Sequence, residues 1–396
     1  MRLRQRSHAI AAVCAALTLL AGCHLPATST HLRSKVSPDE AVLQVVEKNA
    51  TGEPDFLKPL EREQDGWDRS VEHLGDIRSH ASPQGPVMVV SHYGLDEYPP
   101  GFEVAALTPD GAVRWSQELR SRISFNDFHG MRSELSPDGR FLGLTAASHD
   151  LHPLDQAVVA YAVLETETGA VVRTGTEAGV LLGMSLTNTD MVIQTSGTDF
   201  PAGLDWSENP HALTGPSTLT RLPLADRQAA AQVQHTDLWL VAADGESLFL
   251  SDTPLRDLDD REFRHSIATV SLMDTSGTVT GTVTGVKLVS PDGVLHRCEP
   301  QSAGETEDTQ TCELYAPGTG ARTPTTGLFA QYQVGATQNL IQLYQQVVET
   351  TPDGEKTKYV LASWSIGAAT PSTDPQIECS GIIGLSCRTT TIPQAG

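Results

Sequence analysis

Several short constellations in this chain carry side chains capable of chemistry. His149-Asp150-Leu151-His152 sets two imidazoles around a carboxylate, a combination that binds zinc or relays protons. It follows an apolar run and precedes Pro153, so it belongs to a loop. An i, i+3 pair in a loop is not held convergent, and no third ligand presents itself. His129, in Phe125-Asn126-Asp127-Phe128-His129-Gly130, is a loop histidine of the same kind. The acidic run Asp257-Leu258-Asp259-Asp260-Arg261-Glu262 lacks the alternating Asp-x-Asp-x-Asp-Gly of a helix-loop-helix calcium site and reads as a solvated loop. The longest loop, 197–216, holds Phe200 and Trp206 among acids and amides, and Tyr98 opens Tyr98-Pro99-Pro100 in a second loop. Aromatics with polar neighbours suit recognition of a protein or a sugar. The chain has no Gly-x-Ser-x-Gly, no His-Glu-x-x-His and no phosphate-binding glycine loop. The sequence therefore assigns no catalytic residue, no metal site and no cofactor.

The amino terminus carries a different chemistry. Arg2, Arg4 and Arg6 precede an apolar run from Ala9 to Leu20, and small residues lead to Leu20-Ala21-Gly22-Cys23. A basic start, a short apolar core and a small-residue cleavage site are the layout of an export signal. The run is too short to span a bilayer, which takes about 20 residues. Leu20-Ala21-Gly22-Cys23 resembles the lipobox of bacterial lipoproteins. The resemblance implies cleavage before Cys23 and a diacylglyceryl group on its thiol. The expectation is a protein held at the extracytoplasmic face of the cell membrane by lipid on Cys23.

Of six cysteines, Cys14 would leave with the signal and Cys23 would carry the lipid. Cys298, Cys312, Cys379 and Cys387 remain, and an even number in an exported chain points to disulfides. Three pairings are open. The local one, Cys298–Cys312 with Cys379–Cys387, is the simplest. The formal net charge of −22 argues against nucleic acid and against an anionic membrane surface as direct partners.

The elements that must position these loops read as β-structure. Residues 24–37 are rich in Thr, Ser, Pro and His and form a polar tether. Ser37-Pro38-Asp39-Glu40 has helix-start chemistry, and Ala41, Val42, Val45 and Val46 share one helical face, which predicts a short helix at about 38–49. From residue 85 the chain alternates strand-length apolar runs, such as 102–107, 141–146, 158–164, 192–195 and 238–242, with turn residues. A helical turn at 225–233 is the main exception. Pro-Asp-Gly recurs at 109–111, 137–139, 291–293 and 352–354. Proline presets φ, aspartate bonds its own backbone and glycine takes positive φ, which makes each a hairpin connector.

Val104–Trp115 and Ala160–Arg173 share one form, a strand, a turn ending in Gly and a second strand. They resemble the outer hairpin of quinoprotein-like propeller blades, and Ser136–Phe141 resembles the inner turn of WD40-like propellers. The resemblance implies an all-β β-propeller of about six to seven four-stranded blades. The expected organisation is a signal at 1–22, a tether at 23–37, a helix and closing strand at 38–84, a propeller at 85–366 and a Ser/Thr/Pro-rich, disulfide-bearing tail at 367–396. The expected function is binding of an envelope protein or glycan. The alternative is an extracytoplasmic hydrolase acting on a sugar or lactone.

Overall fold

The computed structural model describes residues 42–49, 74–92, 101–121, 131–147, 158–196, 217–226, 228–253, 268–299, 311–325, 328–337, 340–351, 354–368, 372–380 and 386–389. The chain divides into Met1–Ser37 and Pro38–Gly396. The first unit, with Cys23, lies outside the described residues. All regular structure among the described residues is β.

Five sheets follow one another along the chain. The first holds β1 (Gln44–Asn49), β2 (Leu74–Ser82), β3 (Gly85–His92), β4 (Gly101–Leu107) and β5 (Val113–Arg120), in the order β1-β5-β4-β3-β2. The second is the meander β6 (Met131–Leu135), β7 (Phe141–Ala147), β8 (Val158–Glu165) and β9 (Val171–Ala178). The third is β10 (Val180–Leu186), β11 (Asp190–Ser196), β12 (Ser217–Pro223) and β13 (Gln232–Thr236). A seven-stranded sheet runs in sequence order through β14 (Trp239–Ala243), β15 (Leu248–Ser251), β16 (Ala268–Met273), β17 (Val279–Val289), β18 (Leu295–Cys298), β19 (Cys312–Ala316) and β20 (Ala321–Pro324). The last sheet runs through β21 (Leu328–Thr337), β22 (Leu340–Thr351), β23 (Gly354–Trp364), β24 (Ser372–Ser380) and β25 (Ser386–Thr389). Every paired neighbour is antiparallel.

Strand β17 serves two partners. Its first half pairs with β16, and Val286–Val289 pair with β18. Val286 pairs with both, and Gly285 beside it takes a φ of +76°. A Cβ there would collide with the Cys298 carbonyl oxygen, so the position needs glycine on both counts.

The sheets stack through a few of their strands. β2 packs on β6, β6 on β10, β10 on β14, and β17 on β21. Apolar side chains fill the space between neighbouring sheets. Phe141, Val159, Tyr161 and Val163 of the second meet Leu181, Met184, Met191 and Leu222 of the third. Val192 and Leu219 of the third meet Leu240, Leu248 and Leu250 of the fourth. Leu288 and Leu314 meet Trp364 of the last sheet. Inner strands are therefore covered on both faces, and β7, β11, β14 and β15 are buried at every residue. The outer strands β9 and β13 are half-buried to exposed. Four-stranded meanders stacked face to face with their first strands adjacent are the architecture of a β-propeller.

Two expectations change. Gln44–Asn49, inside the stretch read as a helix, is strand β1, paired to the outer edge of β5. Val45 and Val46 are exposed rather than gathered on a buried helical face. β-Branched valines lose rotamer freedom in a helix, and the edge of β5 offers backbone partners that an isolated short helix lacks. The described residues of 225–233 hold no helical turn. The Gln228 N–H donates to Asp226 Oδ1 at 2.9 Å and the Ala229 N–H to the Asp226 carbonyl at 3.1 Å, and this turn feeds β13. Residues 372–380 and 386–389 of the tail are strands that extend the last sheet.

Candidate binding end of the sheets

The connections differ at the two ends of the sheets. At one end β2 turns tightly into β3, β6 into β7, β10 into β11, β14 into β15 and β17 into β18. Ser136-Pro137-Asp138-Gly139 and Ser290-Pro291-Asp292-Gly293 fold alike. Each serine hydroxyl donates to the aspartate carboxylate, at 2.6 Å for Ser136–Asp138 and 2.5 Å for Ser290–Asp292. Each also accepts the N–H that closes the hairpin, from Phe141 at 3.0 Å and from Val294 at 2.9 Å. The glycines take φ of +68° and +83°. Thr187 does the serine's work in the third sheet, accepting the Asp190 N–H at 2.9 Å.

These turns pass contacts from sheet to sheet. Gly139 lies against Pro83 of the first sheet's turn, where a Cβ would come 2.5 Å from the ring. The Asp138 N–H donates to Asn188 Oδ1 at 3.0 Å. The Asn188 N–H donates to the Gly245 carbonyl at 3.2 Å, and the Ala243 N–H to the Pro291 carbonyl at 3.4 Å. The result is a continuous collar of inner turns over the first four sheets.

The outer turns dock at the same end. Trp115 Nε1 donates to the Thr166 carbonyl at 3.0 Å and Gln117 Nε2 to the Gly169 carbonyl at 2.8 Å, tying β5 to the next sheet's β8–β9 turn. Arg173 on β9 reaches the carbonyls of Pro223 at 2.9 Å and Ala229 at 3.0 Å. Gln234 on β13 reaches the Gly277 carbonyl at 3.5 Å.

The opposite end carries the long connections. In the first four sheets the long connections there are 93–100, 148–157, 197–216, 252–267 and 299–311, and β5 is joined to β6 by 121–130, whereas in the last sheet β22 turns into β23 through 352–353 alone. By sequence these segments hold 17 acids against four arginines and no lysine, a strongly acidic composition.

Buried polar groups anchor the strand ends beneath these segments. Gln194, fully buried, donates to Ser217 Oγ at 2.7 Å and to the Leu238 carbonyl at 2.6 Å, and its Oε1 accepts the Leu240 N–H at 2.7 Å. Ser217 passes the chain on to the Thr236 carbonyl at 2.8 Å. One amide thus fixes β11, β12 and β14 together. Cys298 and Cys312 are disulfide-bonded at the base of 299–311, with Cα atoms 4.1 Å apart. His296 sits beside them, fully buried, and burial with the nearby Lys287 charge pushes its imidazole down to about 3, so it stays neutral. On β9, burial raises the Glu177 carboxyl, while Thr220 and Arg173 pull it partly back. Burial likewise raises the Tyr161 phenol beside Arg173.

Tyr98, His129, His149, Asp150, His152, Phe200 and Trp206 lie outside the described residues. Their segments all join strands at the long-connection end. Cys379 and Cys387 are register partners on β24 and β25. Sequence reading missed Gln194, His296, Arg173 and Glu177. A glutamine inside Met191-Val192-Ile193-Gln194-Thr195 was the one available signal, since an amide in an apolar strand must find partners.

No family model and no curated protein matches this chain. Among solved structures it is similar to the β-propeller domain of the Trilobed protease from Pyrococcus furiosus, at 11% identity over 80% of this chain and 89% of that one, with a TM-score of 0.43. It is similar to the Pyrococcus horikoshii acylaminoacyl peptidase at 11% identity and a TM-score of 0.41, over 79% of this chain, and spans about half of that longer protein, 48%. Puromycin hydrolase is similar at 15% identity over 73% of this chain and 42% of that one, with a TM-score of 0.36.

Proposed function

We propose that this chain is a lipid-tethered, extracytoplasmic binding propeller that engages a protein or glycan of the cell envelope through its long-connection end. The observation that carries the reading is the asymmetry of the sheets. Tight, hydrogen-bonded turns close one end, and in the first four sheets five connections of eight to twenty residues leave from the other. Long loops on a rigid β-scaffold are where recognition is placed. Counting β14–β17 and β17–β20 as two units sharing a strand gives six blades. Cys23 supplies the anchor, and residues 23–37 supply the reach from the membrane.

The acidic composition of these connections favours a neutral or cationic partner surface. A pull-down from detergent-solubilised envelope tests the reading. The full chain should recover a reproducible partner, and a variant with 197–216 replaced by a short Gly-Ser linker should lose it. Recovery of the same partner by the linker variant, or no partner with the full chain, contradicts the proposal. For the tether, Cys23→Ala should move the protein from the membrane to the soluble fraction.

A further inference from the structure

We propose that His296, Cys298 and Cys312 form a redox-gated metal site. When the Cys298–Cys312 disulfide is reduced, the two thiolates and the His296 imidazole bind Zn²⁺ at the base of segment 299–311.

The placement follows from strand geometry. His296 and Cys298 are two residues apart on β18, so their side chains leave the same face. Cys312 is the register partner of Cys298 on β19. One imidazole nitrogen and the two sulfurs lie within 4.8 Å of one another, and all three residues are buried. That compactness suits the tetrahedral Cys/His sets that hold zinc, with one position left for a further ligand.

A second observation concerns the same histidine. His296 is fully buried, and its Nδ1 has no hydrogen-bond partner. Nε2 lies 3.3 Å from Thr325 Oγ1, which fixes the ring as an outer partner does in metal-binding histidines. A buried nitrogen without a partner is costly, and a metal bond satisfies it. Lys287 acts electrostatically on His296, yet Zn²⁺ with two thiolates is neutral and adds no like charge beside it.

The chemistry balances. The disulfide takes up two electrons and two protons to give two thiols, and a dithiol reductant is oxidised to its own disulfide. Zn²⁺ then displaces the two thiol protons. The base of 299–311 is closed in both states, covalently when oxidised and by coordination when reduced.

The test uses the full chain carrying Cys14→Ser, Cys23→Ser, Cys379→Ser and Cys387→Ser, made by cell-free synthesis under reducing conditions and purified in detergent. Zinc is counted before and after air oxidation. About one Zn²⁺ per reduced chain and less than a tenth per oxidised chain are expected. Co²⁺ in place of zinc should give thiolate charge-transfer absorption. His296→Ala should weaken zinc binding by more than about 100-fold, beyond what losing a mere supporting partner costs. If reduction unfolds the chain, zinc should restore its near-ultraviolet circular dichroism. A reduced chain with two titratable thiols that takes up no zinc overturns the proposal. So do unchanged affinity in His296→Ala and an unfolded reduced chain that zinc does not rescue.

Discussion

The Gln117 side-chain amide donates to the carbonyl oxygen of Gly169 at 2.8 Å, across the boundary between the first and second sheets. Two sheets later, Gln234 meets Gly277 in the same way at 3.5 Å. In both cases the last strand of a sheet in chain order grips the next sheet's outer turn, and the glycine takes positive φ, +69° at Gly169 and +86° at Gly277. The apolar layers between sheets are non-directional. Such latches set the angle and register at which each sheet meets the next.

Gln117 is 5% exposed, so its removal leaves the Gly169 carbonyl without that donor in a buried place. Gln117→Ala should destabilise the chain by about 1–2 kcal/mol in urea titration. Gln234→Ala breaks a longer, partly exposed contact and should cost about 0.5 kcal/mol or less. Equal costs would show that the two latches are not graded by burial.

Gly285 and Gly111 both have positive φ, +76° and +91°. Only Gly285 is crowded, because an added methyl would run into the Cys298 carbonyl, while nothing lies within 4 Å of one at Gly111. Gly111→Ala should therefore cost about 1 kcal/mol. Gly285→Ala should cost about 3 kcal/mol or more, because strain and a backbone clash add. Thermal melting of the two variants checks the ranking.

The Cys298–Cys312 bond closes a 14-residue separation. Replacing both cysteines with alanine should cost about 3 kcal/mol in the chain-entropy picture. In a Cys379→Ser, Cys387→Ser background, the loss should match that of the reduced, metal-free chain. A much larger loss in the alanine variant would mean that packing of the sulfurs outweighs the cross-link.

Burial raises the Glu177 carboxyl in the folded chain. Between the unfolded value and the folded one, the folded state binds more protons than the unfolded state. Its contribution to stability is thus present at low pH and falls as pH rises above the ordinary carboxylate range. Glu177→Gln should be more stable than wild type near neutral pH, with the advantage shrinking on acidification. An advantage independent of pH would rule out the carboxyl's titration as its cause.

Much of the fold was legible in particular residues. Phe141–Ala147 and Val158–Leu164 read as strands because inner strands are sandwiched on both faces, which writes continuous apolar runs. Ser136-Pro137-Asp138-Gly139 and Ser290-Pro291-Asp292-Gly293 announced their hairpins by turn chemistry. Outer strands were not legible. Gln232–Thr236 is solvent-facing, so its Gln-Val-Gln-His-Thr carries little apolar periodicity. Gln44–Asn49 is a strand only because β5 presents an edge, a long-range fact absent from its own residues. Gln194 and His296 act through partners 20 to 50 residues away, which spacing along the chain does not reveal.

The claim that recognition belongs to the long-connection end is tested most directly by photo-crosslinking in intact envelopes. A photoreactive residue is placed at Leu95, Ala202 or Ala303 in the long connections, or at Arg140, Thr189 or Glu246 on the collar. A shared partner adduct is expected from the first three positions and none from the collar. Adducts from Arg140, Thr189 or Glu246 alone would contradict it.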